Sequence, residues 1–106
     1  MAPELPAFIE SRLADIAELA RRFGVERLAL FGSASTGEFD ESRSDVDFVV
    51  AFRDMTPAQH ADAYFGLLEA LQGLLAYRVD LLEEGAIRNP YLRQSVDAAK
   101  RTLYAA

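Results

Sequence analysis

Cysteine is absent from the 106 residues, which excludes a disulfide framework, a thiolate nucleophile and a zinc–thiolate site. Nothing points to an oxidising compartment, so a reducing cytoplasm is the expected location. Positive charge is also scarce: 11 Lys and Arg against 17 Asp and Glu leave a net charge of −6. A protein that works by neutralising many nucleic-acid phosphates is therefore not expected. A basic partner protein or a metal–nucleotide stays open, and solubility alone would account for the acidity. Long apolar runs are missing too. The opening MAPELPAFIESRLADIAELA carries early acids and no uninterrupted apolar stretch, so neither a signal peptide nor a membrane-spanning helix is expected. Repeats, low-complexity tracts and linkers are lacking, and the length allows one core, hence one domain over residues 1–106.

What is present alternates between two periodicities. Ile9, Leu13, Ile16, Ala20 and Phe23 recur on one helical face between Pro6 and Gly24, which predicts an amphipathic helix. Val25 to Phe31 is short, apolar and followed by Gly32, the pattern of a buried strand ending in a turn. A polar connection, ASTGEFDESRS, reads as loop with room for one helical turn. Asp45 to Phe52, DVDFVVAF, resumes strand character with its charges at the start.

Thr56-Pro57 supplies a cap and a first-turn proline for a second helix whose apolar stripe is Tyr64, Leu67, Leu68, Leu71 and Leu75. YRVDLL, residues 77–82, is a third short strand, and Asn89-Pro90 opens a last helix with Leu92, Val96, Ala99 and Leu103 aligned. The expected order is α-β-β-α-β-α: an α+β, two-layer domain with a small three-stranded sheet and flanking helices.

Side chains on a strand alternate, so Asp45 and Asp47 project from one face while Val46 points to the other. Two carboxylates so close repel unless a cation lies between them, and magnesium, a hard ion content with few protein ligands, suits the pair. An Asp-x-Asp pair alone is more often a solvated strand end. Here it follows Gly32-Ser33, whose N–H groups and hydroxyl can face a phosphate with no bulky side chain between. A third acid, Asp80, sits between Val79 and Leu81, where a carboxylate is costly unless paired or metal-bound.

FGSASTGEFDESRSDVDFVV resembles the GS…DxD signature of the DNA polymerase β-type nucleotidyltransferases, and YRVDLL resembles their third-acid strand. The short chain is similar, more narrowly, to the minimal nucleotidyltransferases encoded beside HEPN-domain proteins. The eleven residues between Gly32-Ser33 and Asp45 are one more than is usual there. The resemblance covers nearly the whole chain and implies a polymerase β-like palm fold. It implies that Gly32 and Ser33 hold the triphosphate of ATP, that Asp45 and Asp47 bind two magnesium ions, and that Asp80 completes the second metal site and helps remove a proton from the attacking hydroxyl. Arg43, just before Asp45, joins the set as a phosphate contact on position alone. The implied reaction places AMP on a hydroxyl, by first choice a tyrosine, of a HEPN toxin in a hetero-oligomer, making the chain an antitoxin. A small-molecule hydroxyl as acceptor, or neutralisation by binding alone, are the alternatives.

Other conspicuous residues read as structural. His60, the one histidine, is distant in sequence from every acid of the motif. Arg21 and Arg22 complement the dipole of the first helix. Tyr64, Phe65 and Tyr77 fall in or beside apolar stripes, and Tyr91 and Tyr104 of the expected last helix are candidates for a partner surface.

Overall fold

The computed structural model describes residues 5–37, 40 and 45–106. Arg43 lies outside the described residues, so the expectation placed on it receives no structural account. The chain opens with α1 (Ala7–Glu10) and α2 (Leu13–Arg22). These break the single predicted helix at Ser11-Arg12, where Arg12 N–H donates to Ile9 rather than one residue further back. The break is short enough to keep the apolar face in phase, and Ile9, Ile16 and Ala20 are all buried.

Gly24, at φ 71°, turns the chain into β1 (Val25–Phe31). One helical turn, α3 (Ser33–Thr36), follows Gly32, and β2 (Val46–Phe52) returns antiparallel to β1. Next comes α4 (Pro57–Leu75), whose start is fixed by reciprocal bonds: Gln59 N–H donates to the Thr56 hydroxyl oxygen, and Thr56 N–H donates to the Gln59 side chain. The crossover through α4 brings β3 (Val79–Glu83) parallel to β2. A 3-10 turn (Glu84–Ala86), α5 (Pro90–Ala99) and β4 (Arg101–Ala105) complete the chain.

The sheet is mixed, with order β3-β2-β1-β4, and this corrects the expected three strands and terminal helix. Helix α5 stops at Ala99, and the next residues satisfy the otherwise free edge of β1 by antiparallel pairing. Leu103 and Tyr104, expected on a helical face, reach the main core from β4 instead. Tyr91 does lie in α5 and is 80% exposed.

Alternation along the strands divides the sheet. Val46, Phe48 and Val50 of β2, with Leu28 and Leu30 of β1 and Val79 and Leu81 of β3, face the main core under α2 and α4. On the other face Ala29, Val49, Ile87 and Val96 form a smaller cluster under the 3-10 turn and α5. Asp47 shares the phase of Val49, and Asp80 shares that of Leu82, so these two acids continue this second face beyond its apolar cover. Among the described residues no helix is long and apolar enough to cross a membrane.

Candidate active site

Strand pairing, rather than loop conformation, places two of the three acids. Asp47 and Asp80 are register partners across the parallel β2–β3 pair, flanked by Val46 with Val79 and Phe48 with Leu81. Equal phase puts both carboxylates on one face, and Asp45, one residue before β2 begins, is near enough for its charge to act on Asp47. Asp80 is exposed. The desolvation cost expected for an acid among apolar neighbours therefore does not arise, because those neighbours point into the core and Asp80 points out.

Asp47 is the electrostatic centre of the group. Partial burial pushes its carboxyl up to about 6, and the charges of Asp80 and then Asp45 push in the same direction. Asp45 lies beside Arg78, with its Oδ1 3.1 Å from the guanidinium Nε. The two groups are not aligned as donor and acceptor, so Oδ1 is buried without a hydrogen-bond partner although the side chain as a whole is 44% exposed. Arg78 had no place in the sequence reading. The available signal was a basic residue at the mouth of the third-acid strand, two positions before Asp80.

Gly32 closes the group from β1. Its φ of 70° and ψ of −154° belong to a region that side chains other than glycine's rarely tolerate. A methyl group there would sit 3.1 Å from Asp47 Cγ. The turn is thus pressed against Asp47, and its backbone is held by Ser35, whose N–H and hydroxyl both donate to the Gly32 carbonyl, at 3.1 and 2.8 Å. Ser33, half-buried, follows at the start of α3.

The donor set is all carboxylate oxygen, the chemistry of hard divalent ions, and it includes one buried oxygen lacking a hydrogen-bond partner and one carboxylate destabilised by its like-charged neighbours. In these respects the residues fit magnesium. As placed, the side chains are spread along two strands: among the described residues no three His, Cys, Asp or Glu side chains gather at metal-site spacing. Ligation requires the acids to converge.

His60 belongs elsewhere. It pairs with Glu83 at the far end of β3 and packs on Phe52, at the end of β2, with ring centroids 5.3 Å apart. Phe52 is five residues along the strand from Asp47, about 17 Å at the usual rise. Tyr64, on α4, lies within the electrostatic reach of one of the acids, Asp80. Its hydroxyl donates to the Leu81 carbonyl at 2.6 Å, and burial first, then the charge of Asp80, holds its phenol above the ordinary range.

Known proteins resemble this chain in sequence and fold. The Nucleotidyltransferase domain family matches residues 15–103. Protein adenylyltransferase MntA of Thermococcus cleftensis is 39% identical over 72 residues, 68% of this chain and 69% of the relative. A crystal structure of a toxin–antitoxin with AMP-PNP superposes with a TM-score of 0.69 at 26% identity, over 89% of this chain and 73% of that one. A tri-AMPylated Shewanella oneidensis HEPN toxin in complex with its MNT antitoxin gives 0.62 at 23% identity, over 92% and 72% of the two chains, a likeness of fold. The matched span runs from α2 into β4 and takes in Gly32, Asp45, Asp47 and Asp80, and the chain accordingly belongs to the nucleotidyltransferase domain family and is a nucleotidyltransferase enzyme.

Proposed function

We propose that the chain is a protein adenylyltransferase that moves AMP from Mg–ATP to a hydroxyl, by first choice a tyrosine, of a HEPN-domain toxin and so acts as a cytoplasmic antitoxin. The observation that carries this reading is the register pairing of Asp47 with Asp80, with Asp45 near enough for its charge to act on Asp47 and Gly32 pressed against Asp47. MntA, a protein adenylyltransferase, supports the nucleotide and acceptor class, and the toxin–antitoxin with AMP-PNP supports ATP as donor. The HEPN toxin in complex with an MNT antitoxin supports the partner.

Asp45, Asp47 and Asp80 would hold two magnesium ions, which supply charge neutralisation at the α-phosphate and at departing pyrophosphate. The protein's own part is positional. Gly32 and Ser33 present N–H groups and a hydroxyl to the triphosphate, and Arg43 adds a cation to it. The acceptor oxygen attacks the α-phosphorus in line, forming the new P–O bond. The bond from that phosphorus to the bridging β-oxygen breaks, and pyrophosphate leaves with the electron pair. Asp80, exposed beside Asp47, takes the hydroxyl proton and passes it to solvent.

Incubation with α-labelled ATP, magnesium and the protein encoded beside this one tests the reading. Label should pass to the partner, and Asp47→Ala should lower transfer by about a hundredfold. No transfer by the wild type, or equal transfer by the variant, overturns it.

A further inference from the structure

Among the described residues Arg78 is the one cation that pairs with any of the three acids, and its partner is Asp45. Its backbone is fixed: the Arg78 carbonyl accepts from Val46 N–H at 2.9 Å, which pins the residue between the beginnings of β2 and β3. Its guanidinium is not. The side chain is 82% exposed and touches Asp45 Oδ1 at one point, 3.1 Å away, without making a hydrogen bond. Among the described residues it has no second partner. An ion pair so exposed and poorly aligned is weak and easily broken.

We propose that Arg78 is an exchangeable counter-ion of the site: it holds Asp45 before a divalent cation arrives, yields that carboxylate to the cation, and then takes a phosphate oxygen of the nucleotide. The inference rests on the reading of Asp45 as a metal ligand. Arginine and cation are drawn to the same carboxylate, and a divalent ion on Asp45 repels the guanidinium 3.1 Å from Oδ1, which no hydrogen bond holds in place. The freed guanidinium stays anchored at the mouth of β3, beside the acids that bring in the triphosphate. There its planar set of donors matches a phosphate better than it matches the single carboxylate oxygen it leaves. Arg78 is thus a positioning residue toward Asp45 and a binding residue toward nucleotide.

Exchange makes two affinities move in opposite directions, which a merely structural residue would not do. Binding of Mn2+ alone, and of AMP-PNP with Mn2+ at saturation, is measured on the full chain by calorimetry or electron paramagnetic resonance. Arg78→Gln should bind Mn2+ alone about threefold more tightly, since a weak competitor is gone, and Mn–AMP-PNP about tenfold more weakly, since a charge-assisted contact is lost. Arg78→Lys should keep the wild-type Mn2+ affinity and fall between the two for the nucleotide. Both affinities falling together, or neither moving, overturns the exchange. Asp45→Asn separates the two levels of the claim. If it leaves Mn2+ binding unchanged, the ligand reading fails; if it weakens Mn2+ binding while the Arg78 variants show no opposed shifts, the exchange alone fails.

Discussion

Asp47 of β2 and Asp80 of β3 face each other as register partners in the parallel part of the sheet, so the fold itself holds two like charges together. Burial first, and then the charges of Asp80 and Asp45, raise the Asp47 carboxyl from 3.8 to about 6. Below the lower of these values Asp47 is protonated in both the folded and the unfolded chain and costs nothing. As pH rises through the upper one, the fold must carry a charge it disfavours, and stability is lost. Asp47→Asn should therefore be more stable than the wild type by about 1 kcal/mol near pH 8 in chelator, a figure discounted for the partly exposed carboxylate. The difference should vanish as pH falls below about 4. Urea melts across this range check it, and magnesium should stabilise the wild type but not the variant.

Gly32 tests the close approach of the turn to Asp47. Gly32→Ala places a methyl group 3.3 Å from Asp47 Cβ in a backbone conformation alanine resists. A loss of about 2 kcal/mol is expected, together with weaker nucleotide binding. Gly73→Ala is the matched control: it lies within α4, where an added methyl group meets nothing within 4 Å. That variant should gain about 0.5–1 kcal/mol. Thermal melts of the pair decide whether Gly32 is there for conformation and contact rather than by composition.

His60 tests which end of the sheet does chemistry. Paired with Glu83 and packed at a tilt on Phe52, it lies at the opposite end of β2 from Asp47. His60→Gln should leave nucleotidyl transfer within about twofold of the wild type and cost less than about 1 kcal/mol, as expected for an exposed pair. A hundredfold fall in transfer, on the order of a lost catalytic base, would move the site to the wrong place for this account.

The parts of the fold that were legible in the sequence are those where periodicity alone decides. Val46, Phe48 and Val50 face the core and Asp47 the other side because strands alternate, and Thr56-Pro57 starts α4 because cap and proline chemistry are local. β4 was hidden for the opposite reason. Leu103 continues the spacing of Leu92, Val96 and Ala99, no glycine or proline marks the end of α5, and what recruits Arg101–Ala105 is the edge of β1, distant in sequence. Asp80 was expected to be costly because its neighbours are apolar. Single-residue alternation sends it to the open face, and only the β2–β3 register reveals that it meets Asp47. Arg78 was invisible because its role depends on that same non-local pairing, which brings the mouth of β3 beside Asp45.

The most direct test of the three-acid site is an anomalous difference map from crystals grown with Mn2+ and AMP-PNP. The account predicts peaks bound by Asp45 and Asp47, with Asp80 at the second ion and the triphosphate against Gly32 and Ser33. Manganese bound elsewhere, with the three carboxylates still apart and the nucleotide distant from Gly32, would contradict it.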